Sequence, residues 1–316
     1  MMSGRVMAKV ILHEVGLRDG LQIEEETVPT DRKLEWIDRL AASGLDMIQV
    51  GSFVNPQKMP QMADTDELFR QLAVPGRKRP GVVYTGLVLN EKGLDRGLAC
   101  GVDYFCMGVS ASDTHSRKNT GMSTADATDR IIAMGRQAVA AGRGVQVSVQ
   151  SAFGCGYEGQ IPQDRVLGIV ARFLDADLAT VSLADTAGHA SPAQVRELFG
   201  TLRALGHSIS MACHFHDTFG LGLANAYAAW EAGVTSFESA FAGLGGCPFT
   251  ALAAGNVCTE DLVHMFHRMG ERHDVALDAI VGVAKDAERF FNRALPGRIH
   301  TTGPIPHGEN RVQDPF

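Results

Sequence analysis

His214 and His216 flank a single residue at the end of the apolar run 210–216. On a strand, residues two apart point to the same face, so the two imidazoles stand side by side as half of a metal site. Asp19, which follows the run 9–14, adds a hard anionic oxygen, and Asn256 adds a carbonyl oxygen. Two nitrogens and two oxygens with open positions suit Mg2+ or Mn2+, and the imidazoles keep Zn2+ within range. Beside Asp19 stands Arg18. It reads either as a local ion-pair partner or as a guanidinium aimed at a substrate oxygen where negative charge develops. Asp185, closing the run 180–185, can anchor a substrate hydroxyl, move a proton or cap the next turn. The last cluster is Gly243-Leu244-Gly245-Gly246-Cys247-Pro248. Its glycines admit backbone conformations closed to other residues, and Cys247 is a candidate proton donor or nucleophile.

These residues need elements that bring them together. Short apolar or β-branched runs at 9–14, 47–51, 81–87, 104–109, 145–152, 180–185, 210–216 and 236–240 read as strands buried on both faces of a parallel sheet. Helical patterns lie between them at 31–43, 91–100, 124–142, 162–175, 192–206, 221–233 and 252–270, with a weaker one at 63–72. Thr30-Asp31, Ser123 and Ser191-Pro192 read as helix starts, and Gly44, Gly101 and Gly206 as stops. Eight strand–helix units in about 250 residues predict an α/β fold, a (β/α)8 TIM barrel. An open doubly wound sheet is the runner-up, weakened because no G-x-G-x-x-G opens the first helix. The barrel is expected over about 8–270, followed by a C-terminal helical extension and an irregular arm to residue 316, all as one catalytic domain. Barrel chemistry takes place where the strands end, and Arg18, Asp19, Gln22, Gln49, Ser52, Asp185, His214 and His216 all fall at such ends.

Composition narrows the class. The chain has 316 residues, 45% of them hydrophobic and 21% charged, with a net charge of −7. That balance argues against nucleic acid or an anionic membrane as the main partner. No apolar run reaches the length of a membrane span. The first residues lead within a few positions into Val10-Ile11-Leu12 and read as neither signal nor transit peptide. The six cysteines form no C-x-x-C pair, as expected of reduced thiols in a cytoplasmic protein. His189, His207, His264, His267 and His273 read as surface or packing residues, and Cys100, Cys106, Cys213 and Cys258 as small hydrophobes.

Taken together, these motifs resemble the 3-hydroxy-3-methylglutaryl-CoA lyase family, within a wider group of metal-dependent barrel lyases and synthases. The likeness runs along Glu14-Val15-Gly16-Leu17-Arg18-Asp19-Gly20-Leu21-Gln22, Ser52-Phe53-Val54 with Pro60-Gln61-Met62, Gly154-Cys155 with Tyr157-Glu158-Gly159, and Ser182-Leu183 with Asp185-Thr186. It continues at His214, His216-Asp217-Thr218, Ala242 through Pro248, and Gly255-Asn256 with Thr259-Glu260-Asp261-Leu262. The resemblance implies that Asp19, His214, His216 and Asn256 hold a divalent metal, Mg2+ or Mn2+. It implies a catalytic set of Arg18, Asp19, Asp185, His214 and Cys247, in which Arg18 stabilises an enolate and Cys247 serves proton transfer. It places Gln22, Gln49, Ser52, Gly245 and Gly246 at the substrate, with Glu14 supporting them. The implied reaction is retro-aldol cleavage of a 3-hydroxy-3-methyl acyl-CoA, CoA being part of the substrate. A homodimer or higher homo-oligomer is expected, with the C-terminal helix packing between subunits.

The chain also departs from the family pattern. Gln49 stands where a glutamate is usual, Ile23 and Glu25 where Asn and Lys are usual, Gln146-Val147-Ser148 where Arg-Gly-Tyr is usual, and Ala240-Phe241 where Ser-Val is usual. The cleavage residues are kept while residues around the acyl group differ. Three alternatives follow: a lyase for a related substrate such as citramalyl-CoA, a condensing synthase of the same group, and a non-catalytic metal-binding scaffold.

Overall fold

A computed structural model describes residues 9–205, 209–246 and 255–305. Eight parallel strands close into a barrel in sequence order. They are β1 (Ile11–Glu14), β2 (Met47–Ser52), β3 (Val83–Leu87), β4 (Tyr104–Ser110), β5 (Gly144–Gln150), β6 (Thr180–Asp185), β7 (Ser210–Phe215) and β8 (Ser236–Ser239). The predicted barrel is therefore the fold. Each strand is short because a parallel barrel strand needs only enough residues to cross the tilted wall before the chain turns into its helix.

The outer ring carries the expected helices. Thr124–Ala140 opens with the Ser123 side chain accepting from Asp126 N. Pro192–Ala204 opens with a full capping box between Ser191 and Gln194. Thr30–Ala42 differs from its prediction: Pro29 occupies the cap position, and Thr30 Oγ1 donates to Asp64 instead, at 3.0 Å. Gly44 and Gly101 do follow helix ends with positive φ, whereas Gly206 lies outside the described residues. The helix predicted over 252–270 is Thr259–Arg268. Asn256 and Cys258 cannot join it, because they form backbone bridges to His216 and Ala240 at the barrel mouth. An additional helix, Asp113–Thr120, was not foreseen; its sequence DTHSRKNT has no apolar stripe to reveal it.

Two layers of core result. Between wall and helices lie apolar side chains such as Trp36, Ile37, Leu40, Phe173 and Phe199, all fully buried. Inside the wall, register sets the neighbours. Glu238 on β8 pairs with His13 on β1 and with His214 on β7, and Ser148 pairs with Ser182. Register partners on parallel strands point to the same face, so the barrel interior carries a polar layer beneath the mouth.

The C-terminal helix Leu277–Phe291 buries Leu277, Ile280, Val281, Val283, Ala284 and Ala287 against its own barrel. Trp36 Nε1 and Arg32 Nη1 both donate to its Asp286, at 2.8 and 2.9 Å. Its apolar face is thus packed on its own barrel. Just before this helix, the nearly buried Arg272 fastens the bottom of the barrel. It donates to Val10 O at 2.8 Å, Gly44 O at 2.9 Å, Asp46 Oδ2 at 2.5 Å and Asp274 Oδ1 at 2.9 Å. Removing one partner of a buried charged network leaves the rest uncompensated, at a cost of about 3 kcal/mol or more. Arg272→Ala is therefore expected to lower unfolding stability by about 3 kcal/mol. Urea denaturation measures it, and a loss below about 0.5 kcal/mol would remove Arg272 from the stabilising network.

Candidate active site

The chain after β1 does not enter a regular helix. Gly16–Gly20 forms a wide helical turn, with Arg18, Asp19 and Gly20 amides all turned back on the Val15 carbonyl. This turn puts Arg18 and Asp19 at the mouth on adjacent positions. Arg18 donates through Nη1 to Asp19 and through Nε to Gln49. No described residue takes Arg18 Nη2 in a hydrogen bond, and the guanidinium lines the cavity. Of its two sequence readings, the contacts display the ion pair with Asp19, and the guanidinium also borders the cavity.

Across the mouth, β7 presents His214, and His216 follows just past the strand end. Their ring centroids are 5.2 Å apart. His214 Nε2 and His216 Nε2 lie 3.7 and 3.8 Å from Asp19 Oδ2. One ligand atom from each of Asp19, His214 and His216 falls within 4.8 Å of the others, all three side chains being buried. Asn256 joins them through the backbone: Asp217 N donates to Gly255 O and Val257 N to Phe215 O, which sets Asn256 beside His216. Its Nδ2 donates to Asp19 Oδ2 at 2.9 Å and to Leu244 O at 3.0 Å. Its Oδ1 is buried with no partner among the described residues. A carboxylate, two imidazoles and an unpartnered amide oxygen fit a hard divalent ion with open positions.

The electrostatics of Asp19 and His216 agree with that use, while His214, despite its burial, is raised by Glu238 and Asp19 together. Burial works against the charged form of Asp19, but Arg18 and the two imidazoles hold its carboxyl well below the usual range. Burial brings His216 down to about 4, so it is neutral, as a metal ligand must be. Glu238 is the residue that sequence reasoning missed. Its Oε2 lies 2.8 Å from His214 Nδ1, and its Oε1 accepts from Gln146 Nε2 at 2.5 Å. Burial opposes its charge, yet the His214 contact brings Glu238 down to about 2. A carboxylate on Nδ1 fixes the tautomer and leaves Nε2 facing Asp19. The available signal was a lone acid at the centre of the run 236–240.

The other candidates separate. Gln22, Ser52 and Gly246 line the cavity, which measures about 380 Å3. Gln22 also donates to Asp19 at 3.2 Å. Gln49 is buried and serves the site through Arg18. Gly245, at φ 108°, packs on the Asn256 amide and lies so close to the Asp19 carbonyl that a Cβ would stand 3.1 Å from that oxygen. Asp185 does not line the cavity: its oxygens accept from the amides of His189 at 2.8 Å and Ala190 at 3.0 Å. Of its three sequence readings, capping is the one the contacts display; burial raises its carboxyl to about 6. Cys247 lies outside the described residues. His115 and Asn119, from the helix that sequence missed, line the rim together with Ile23, Val54 and Met59. Glu158 ties that helix down, accepting from Ser112 Oγ at 2.8 Å and Thr114 N at 2.7 Å.

Fold and site together define the class: a (β/α)8-barrel protein with a candidate divalent-metal site and an arginine at the C-terminal mouth of its strands. Residues 9–286 match the family model described as HMGL-like, and the chain belongs to that family. The hydroxymethylglutaryl-CoA lyase YngG of Bacillus subtilis is 36% identical over 290 residues, covering 92% of this chain and 96% of that protein. The (R)-citramalyl-CoA lyase of Chloroflexus aurantiacus is 34% identical over 305 residues, covering 95% and 96%. Among solved structures, an HMG-CoA lyase from Acinetobacter baumannii in complex with coenzyme A and 3-methylmalate superposes with a TM-score of 0.89 at 34% identity, covering 98% of each chain.

Proposed function

We propose that this chain is a divalent-metal-dependent carbon–carbon lyase acting on an acyl-CoA. It cleaves a 3-hydroxy-3-methyl acyl-CoA such as hydroxymethylglutaryl-CoA to acetyl-CoA and acetoacetate. The observation that carries the reading is the convergence of Asp19, His214 and His216 beside the cavity-facing Arg18, in a chain of the HMGL-like family.

Asp19, His214, His216 and Asn256 would hold the ion. When bound, Mg2+ or Mn2+ supplies Lewis acidity that eases loss of the proton from the tertiary alcohol. The bond to the acetyl unit then breaks, its electron pair passing to the acyl-CoA as an enolate, while the alcohol carbon becomes a ketone. Arg18 meets the charge growing on the enolate oxygen, and its grip on Asp19 and Gln49 fixes its direction beforehand. Because Gln49 is neutral, Asp19 is the one anionic side chain that pairs with Arg18 among the described residues, which leaves more of its charge uncompensated for the enolate. Cys247, in the glycine loop, is the proposed proton donor to the enolate carbon.

A second reading, cleavage of citramalyl-CoA to acetyl-CoA and pyruvate, is favoured by Ile23 and Ser148. Both line the cavity where the family pattern has a polar and an aromatic residue. Acetyl-CoA release from a panel of 3-hydroxyacyl-CoAs, with Mg2+ or Mn2+ present, tests both. Hydroxymethylglutaryl-CoA is expected to be cleaved; cleavage of citramalyl-CoA alone transfers the assignment to the second reading. No release from any member of the panel by metal-loaded protein would defeat the lyase proposal. CoA release from acetyl-CoA and a 2-oxo acid would show condensation instead.

The proposal includes a cytoplasmic location and a homo-oligomer. The five described cysteines are all free and buried, in keeping with a reducing compartment. Among the described residues, no helix is long and apolar enough to cross a membrane.

A further inference from the structure

The C-terminal arm has a place in the architecture that its irregular sequence does not announce. After Leu277–Phe291 the chain returns beneath the glycine loop. The Asp261 carboxylate accepts from Arg298 N at 3.0 Å and from Ile299 N at 2.8 Å, which starts the short turn Ile299–Thr302. That turn sends His300 into the interior, where only 1% of it is exposed. His300 Nδ1 meets Glu260 Oε1 at 2.7 Å, and Glu288 Oε1 lies 3.7 Å from Nε2.

Glu260, itself fully buried, uses its other oxygen to accept from Ala242 N at 3.0 Å. The carbonyl of the same residue accepts from Gly297 N, in the arm, at 3.3 Å. Ala242 is left-handed, with φ 58° and ψ 6°. A residue with a Cβ pays about 1 kcal/mol for that conformation and keeps it only where its surroundings over-determine it. Here both of its backbone polar atoms are held, one by Glu260 and one by the arm. Two residues on, Leu244 O accepts from Asn256 Nδ2 at 3.0 Å and from Asn256 N at 3.3 Å. A continuous set of contacts therefore runs from His300 through Glu260, Ala242 and Leu244 to Asn256.

We infer that His300 and Glu260 are positioning residues: the C-terminal arm holds Ala242 left-handed and so aims Leu244–Gly246 at Asn256 and the cavity mouth. Neither residue lines the cavity, and their effect on chemistry is indirect. The catalytic consequence rests on the lyase reading, whereas the structural one does not.

Amide hydrogen exchange on the full chain, without substrate, decides the point. In His300→Ala, exchange across residues 242–246 is expected to rise at least tenfold, while peptides from β2 to β5 keep wild-type rates. His300→Asn, whose amide nitrogen can occupy the place of Nδ1, is expected to restore protection. Unchanged exchange at 242–246, or an equal rise throughout the chain, would overturn the inference. Should His300→Ala fail to fold, Glu260→Met provides the same comparison, because its thioether replaces both oxygens that Ala242 N and His300 contact. With a cleavable acyl-CoA, kcat is expected to fall about tenfold in His300→Ala and to recover in His300→Asn. A protein that cleaves no acyl-CoA still gives the exchange result.

Discussion

His214→Ala is expected to lose divalent-metal binding in the micromolar range, and acyl-CoA cleavage with it. Asp19, His214 and His216 form the acid–imidazole ligand cluster among the described residues, so removing one imidazole leaves a carboxylate, a single imidazole and the Asn256 amide oxygen. The loss should be graded by what lies behind the ligand. Glu238 orients His214 without joining the cluster, and loss of such an outer partner typically weakens metal affinity by about 10–100-fold. Glu238→Ala should therefore bind Mn2+ about 10–100-fold more weakly, and the shorter Glu238→Asp should fall between it and the unaltered protein. Calorimetric titration with Mn2+ measures all three. Unaltered affinity in His214→Ala would show that the ion, if bound, sits elsewhere.

Arg18→Met should produce the opposite pattern: metal binding kept and catalysis lost. The guanidinium faces the cavity and is already oriented by Asp19 and Gln49 before any ligand arrives. Removing one pre-aligned donor to a developing oxyanion typically costs about 100–1,000-fold in kcat, about 3–4 kcal/mol. Methionine keeps most of the volume, so the loss belongs to charge and hydrogen bonding. KM should change little if the interaction forms mainly in the transition state. Steady-state kinetics with the best substrate of the acyl-CoA panel reads the effect. A kcat within threefold of the unaltered enzyme would remove Arg18 from enolate stabilisation. Because Arg18 also shields Asp19, the Mn2+ titration belongs beside the kinetics and separates the two roles.

The strands were legible because a parallel barrel buries both faces of each one, and that leaves continuous apolar runs such as 104–109 and 180–185. His214, His216, Asp19 and Arg18 were legible because they sit where such runs end, in residue types that bind metal or anions. Glu238 was hidden for the same reason turned around. It lies inside a run, and only the register between β7 and β8 reveals that it faces His214. Asp113–Thr120 was hidden because it is held by its Ser112 cap and by Glu158, contacts that leave no periodic pattern. The helix start at Thr259 was misplaced because the residues before it bond to strand ends far away in sequence, which local propensity cannot foresee. His300 gave no signal at all, since its meaning depends on Glu260, forty positions earlier.

The closure of the sheet bears on how copies of this protein can meet. β1 hydrogen-bonds to β8, so among the described residues no barrel strand presents an open row of backbone donors and acceptors along a free edge. Strand addition, the commonest accidental route to aggregates, is therefore closed to the native barrel. Among the described residues, self-association is left to side chains on the outer helices and loops. With the Leu277–Phe291 helix already committed to its own barrel, such contacts depend on shape-matched surface patches that a few substitutions can create or abolish without touching the wall.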